Sequence, residues 1–148
     1  MTTATQKTSS TRLTIGQPQA DGSVYFARQK DPKDGVMKNW FTTAEDLKDS
    51  RNGSLTLNFN DAAVQVAKLD VHGHNDWQIG HEAIVSEQCN TQNKGKLNGT
   101  YTGLKYGSAT SHPRNDNLVA AQYFDDAEPI SPSKTEKLSF RPVRCEPC

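Results

Sequence analysis

Four residues crowded between positions 72 and 81 carry the side chains of a metal site: His72, His74, Asp76 and His81. Neutral imidazoles and a carboxylate can bind zinc. His72 and His74, however, flank Gly73 in what reads as a turn, so no helical face fixes them together, and the spacing matches no zinc motif. A structural turn is expected there, with no metal. A second oxygen-rich group is Asp116, Asp125, Asp126 and Glu128. It has the donor type for calcium, which takes about six to eight oxygens, but it reads as a solvated acidic turn. No cofactor is assigned.

The three cysteines are Cys89, Cys145 and Cys148, and an odd number cannot close entirely within one chain. Cys89 falls among apolar neighbours on an expected helix and should be buried and inert. Cys148, next to Pro147, should be exposed. In a reducing cytosol all three stay as thiols; in an oxidising final location Cys148, with Cys145 as a second candidate, can bond to another chain. No nucleophile has a visible base partner, and the glycines are scattered in turns rather than gathered in a phosphate loop. No enzymatic activity is expected.

Binding is assigned instead to residues 95–117, rich in Gly, Asn, Ser, Thr and Tyr. Tyr101 and Tyr106 offer large amphipathic contacts, and Ser108, Asn115 and Asp116 offer adaptable hydrogen bonds. Loops on a rigid scaffold commonly carry recognition. Trp40 joins them, because an indole face suits the apolar face of a sugar and Trp40 stands among polar residues. Trp77 is expected in the core.

These residues need a scaffold, and 148 residues suit one domain with one core. Hydrophobic residues make up 33 %; with glycine the apolar share is about 40 %, below the roughly 45–50 % of average globular chains. Loops must therefore form much of the molecule. The formal net charge is zero, which removes the electrostatic footprint of non-specific nucleic-acid binding. No apolar run approaches the roughly 18 residues of a membrane span. Residues 1–12 are polar, without the apolar stretch of a signal peptide, and read as a solvated arm that docks on a neighbour.

Residues 13–15, 23–27 and 36–43 read as short strands around the turn signals Asp21-Gly22, Asp31-Pro32 and Asp34-Gly35. Residues 54–59 alternate, with Leu55, Leu57 and Phe59 on one face of an expected strand. The period then changes. Asn60 or Asp61 can cap a helix whose stripe is Ala63, Val66, Ala67 and Leu69, ended by Gly73. A second helix is expected over 81–92, with Ala83, Ile84, Val85 and Cys89 inward. After an irregular stretch, strands are expected over 118–124 and 138–145, the latter at a sheet edge because of Pro142. Strands, two helices, loops and strands again make an α+β domain over 13–148.

The segment 59–77, FNDAAVQVAKLDVHGHNDW, resembles the region leading into the D-W-R-x-P-T motif of the domain at the C-terminus of the Legionella collagen-like adhesin. That domain is widespread in bacteria and their phages and has a C-type-lectin-like fold. Further elements of its pattern follow in order: the helix from His81, Tyr106-Gly107-Ser108-Ala109, Gln122-Tyr123-Phe124-Asp125, and Val143-Arg144-Cys145. The opening stretch 16–43 is similar to the family's leading D-G-x-x-F and F-T-T segments. Two positions depart from the pattern. Gln78-Ile79-Gly80-His81 stands for R-x-P-T, and Gly107 stands for the tryptophan of Y-W-S-S. The E-P-N tripeptide that carries calcium ligands in C-type lectins is also absent, since Glu128-Pro129 is followed by Ile130.

The resemblance implies a C-type-lectin-like fold: two helices packed on short antiparallel sheets with long loops. With the polar arm and the terminal cysteines, it implies a bacteriophage virion protein, made in the host cytoplasm without a signal peptide. Such a protein decorates a capsid or joins a tail or fibre, as a homo-oligomer or bound to other virion proteins. An alternative is an adhesin module that binds host-surface glycans.

Overall fold

Two β-hairpins carry most of the backbone pairing. The structure, a computed structural model, describes residues 13–93, 104–124 and 128–148. In the first hairpin β1 (Val24–Lys30) runs antiparallel to β2 (Met37–Thr42). Its loop is closed by Asp31, whose carboxylate accepts from the Lys33 N–H while its backbone pairs with Val36 and Gly35. Gly35 takes a positive φ of 71° there. Lys38 Nζ reaches back to Asp31 and Asp34, 2.8 Å from each carboxylate. A bulge between Tyr25 and Ala27 inserts Phe26, which is fully buried.

The C-terminal strand β6 (Val143–Pro147) pairs with the other side of β2, giving the order β1-β2-β6. The second hairpin joins β3 (Lys105–His112) to β4 (Asn115–Tyr123) through Pro113 and Arg114, and β5 (Pro129–Ile130) completes the order β3-β4-β5.

Helix α1 (Phe59–Ala67) starts at Asn58, whose side chain accepts from the Asp61 N–H at 2.8 Å. Helix α2 (Glu82–Asn93) is capped from two directions. His81 Nδ1 accepts from Ala83 N–H, and Thr110 Oγ1 on β3 accepts from Glu82 N–H. α2 packs on β1, β3 and β4, so it ties the two sheets together. Ile84 enters the cluster of Phe26, Ala27, Trp40 and Val143, while Val85 and Cys89 pack on Tyr106. A third cluster gathers Leu47, Leu57, Ala62, Val119, Leu138 and Phe140. The architecture is a small α+β fold of two helices and two short antiparallel sheets.

Several sequence expectations need correction. Residues 13–15 form no strand; Gly16 N–H instead donates to Tyr25 O, and Pro18 bridges Val24. The strand expected over 54–59 shrinks to a single bridge, Leu57 to Leu138. Asn58 begins the helix before Phe59, and Leu55 is exposed. The buried stripe of α1 is Ala62 and Val66, and Ala67 faces solvent. Much of the expected loop 95–117 is strand β3, and β4 begins at Asn115 rather than 118. The strand expected over 138–145 is split by Pro142, which has no N–H to donate. Pro142 is fully buried, and β6 after it lies at one edge of its sheet.

Candidate functional site

The sequence His72-Gly73 sits at the tip of a tight turn in which Val71 and His74 exchange two backbone hydrogen bonds. Both central residues have positive φ, 56° for His72 and 76° for Gly73, as this turn type demands. Glycine adopts that conformation without cost; histidine does so uncommonly. His72 is the only non-glycine residue with positive φ among the described residues.

Contacts of its ring hold it there. Ala44 N–H donates to His72 Nε2 at 3.3 Å, so the ring proton sits on Nδ1, which donates to Asp21 O at 3.0 Å. Gly22 lets the ring approach, because a Cβ at that position would lie 2.8 Å from Nδ1. His74 Nε2 meets Asp21 Oδ2 at 2.7 Å. Both imidazoles stand edge-on to the Trp77 ring, whose Nε1–H donates to Val71 O. Burial raises the Asp21 carboxyl, but hydrogen bonds from the Ser23 side chain and backbone and from His74 outweigh it and hold the pKa at about 2.

His72 also forms one wall of a cleft of about 460 Å³. Leu69, Val71, Leu47 and Pro142 supply apolar walls, and residues 43–48 form the opposite rim. Beneath that rim lies a buried polar network. Arg141 Nε donates to Asp46 Oδ1 at 2.8 Å and Arg141 NH1 to Thr43 O, while Tyr106 O–H donates to Asp46 Oδ2 at 2.7 Å. Both charged side chains are almost wholly enclosed, 3 % exposed for arginine and 1 % for aspartate. A smaller groove of about 240 Å³ is lined by Lys33, Trp40, Gln78, His81 and Thr110. Lys33 Nζ crosses to Gln78 Oε1 at 2.9 Å.

The thiols separate by environment. Cys89 is buried, and burial pushes its pKa up to about 12. Cys145 is half-buried beside Asp31, and burial raises its thiol as well. Cys148 is exposed, with Arg28 Nε donating to its Sγ at 3.4 Å. Arg28 lies opposite Asn39 in the register, and Met37, two residues along, is also exposed on that face.

The residues assigned to ligand binding are not brought together. Tyr101 lies outside the described residues, as do 1–12, 95–100, Asp125 and Asp126. Tyr106 and Ser108 are corrected to core positions. Tyr106 is tied to Asp46, and Ser108 Oγ donates to Ala120 O across the hairpin. Trp40, expected to be open, is 2 % exposed, and its Nε1–H donates to Gln29 O. Asn115 and Asp116 are exposed at the β3–β4 turn, where Asn115 Oδ1 accepts from the Asn117 N–H. Trp77 is buried as expected. No group of metal-holding side chains occurs among the described residues, and no helix there is long and apolar enough to cross a membrane.

Sequence reasoning missed Asp21 and Ala44 as partners of His72, and Asp46 as the partner of Arg141. Of these, only Asp21-Gly22 left a local signal, and it read as a turn alone. No family model matches the chain, and no curated protein matches it.

Proposed function

We propose that this chain is a non-enzymatic structural component of a bacteriophage virion, built on a C-type-lectin-like domain and joined to copies of itself or to other virion proteins. One observation carries the assembly role. The Cys148 thiol is exposed on an outward sheet face, beside the Arg28 guanidinium and the exposed Met37 side chain. A sulfur held against a strand face by a cation is accessible to a neighbour's thiol, and an apolar side chain beside it favours contact. The small α+β architecture and the ordered sequence elements described above support the lectin-like fold. The conversion of Trp40, Tyr106 and Ser108 from binding candidates to core residues weighs toward assembly over sugar binding.

Mass spectrometry of the protein from its native source, with free thiols blocked and with or without reductant, tests this. A reducible dimer or ladder through Cys148 is expected. A monomer in which Cys148 is fully alkylated would overturn the assembly role.

The adhesin alternative draws on the groove lined by Lys33, Gln78, His81 and Thr110. It predicts that the isolated protein binds host-surface glycans and that Gln78→Ala weakens that binding.

A further inference from the structure

We infer that His72 is a proton-sensitive latch on the cleft: protonation of Nε2 breaks the hydrogen bond from Ala44 N–H, one tie between the rim at 43–48 and the turn at 71–74. The geometry is that of a ring whose two nitrogens have opposite, fixed roles. Nδ1 donates to Asp21 O, and Nε2 accepts from Ala44 N–H. An imidazolium has two N–H donors and no acceptor. The new proton on Nε2 would point at an amide hydrogen, so that contact turns from attractive to repulsive.

Among the described residues no carboxylate stands ready to take the new proton. Asp21, from the turn at 19–23, has Oδ1 occupied by Ser23 and Oδ2 by His74. Across the cleft, Asp46 is committed to Arg141 and Tyr106, and Glu45 pairs with Lys48 at 3.7 Å. Leu69, Val71 and Pro142 bring no charge to the cleft, and Trp77 brings only its ring edge. His74, in the same turn, behaves in the opposite sense. Its protonation turns the Asp21 contact into a full ion pair and tightens the turn. The two histidines therefore respond to acid differently: His74 keeps the turn on Asp21 while His72 lets go of Ala44.

His72 is held at a φ of 56°, a conformation that its surroundings must enforce. Ala44 itself lines the cleft, so loss of its bond to the ring acts directly on the rim.

The test is an NMR titration of the full chain from pH 8 to 5, following the His72 ring nitrogens and the Ala44 amide. Hydrogen exchange is measured at Ala44 and corrected for intrinsic rate. The Ala44 protection factor is expected to fall roughly tenfold, equivalent to about 1.4 kcal/mol, the scale of one lost hydrogen bond. Its midpoint should coincide with the His72 titration. In His72→Asn the side chain is too short to reach Ala44, asparagine tolerates positive φ, and nothing titrates, so Ala44 should be insensitive to pH, with the low protection of the wild type at pH 5. His74→Asn should leave the Ala44 response in place. A His72 ring that titrates while Ala44 stays protected would overturn the latch. So would a ring that does not titrate in this range, or an Ala44 response that persists in His72→Asn.

Discussion

Replacing Gly107 by alanine adds one methyl group where the structure has no room for it. A Cβ on this β3 residue would fall on Phe140 Cε1, 2.7 Å from Cζ of the same ring and 3.2 Å from Leu138 Cδ1. Neither neighbour can retreat into solvent, since Phe140 and Leu138 are each 1 % exposed. Gly107 does not have positive φ, so backbone strain plays no part. Alanine would otherwise stabilise by about 0.4–1 kcal/mol, by restricting the unfolded chain. Against that stands an overpacking cost of about 1–3 kcal/mol. Gly107→Ala should thus destabilise by roughly 1–2 kcal/mol, a fall in Tm of about 2–8 °C for a domain of this size. Urea denaturation at constant m-value measures it. Phe140→Leu removes the clashing ring carbons and should alone cost a few kcal/mol through the space it leaves. The double variant should be more stable than the sum of the two predicts, by about 1 kcal/mol. A neutral Gly107→Ala, or effects that add within about 0.5 kcal/mol, would refute the steric account.

Arg141→Met leaves the Asp46 carboxylate enclosed without its cation and should cost about 3–5 kcal/mol in chemical denaturation, whereas Tyr106→Phe, which removes one of its donors, should cost less. Asp21 has a folded pKa below its ordinary value, so its contribution is fully present above about pH 4 and is lost as pH falls toward about 2. The Tm of the wild type should drop across that window, and Asp21→Asn should flatten the drop, as seen by thermal denaturation at stepped pH. Iodoacetamide at pH 8 should label Cys148 first and Cys145 more slowly, and should reach Cys89 only on unfolding. Peptide mapping under native and denaturing conditions reads the three rates, and rapid native labelling of Cys89 would contradict its burial.

The elements that the sequence made legible are those with strong local patterns. The turn signals at Asp31 to Gly35 mark the β1–β2 hairpin, and the apolar positions Ile84, Val85 and Cys89 mark the inner face of α2. The tyrosine and serine of β3 were misread because its sequence, KYGSATSH, looks like a loop. Its small residues answer instead to tertiary crowding: Gly107 lies under Phe140, and Ser108 is sealed against β4. Trp40 looked open because its sequence neighbours are polar, yet Thr42 and Asn39 are used within the structure, Thr42 with Pro142 and Gln88, Asn39 with Tyr25. The partners of His72 and Arg141 come from distant parts of the chain, and no period or spacing can announce them.

Strand β2 has a near partner and a far one. β1 precedes it by a short loop, but Thr42 pairs with Val143 and Trp40 with Cys145. During synthesis the hairpin can form early, while the second edge of β2 waits until residues 143–147 have been made. Pairing across such a separation is slow compared with local closure. In that interval the edge, with Trp40 beside it, is open to any strand of the same sequence. A neighbouring copy's 143–147 segment fits it as well as the chain's own. Crowded nascent chains would therefore face a competition between closing on themselves and exchanging their last strand.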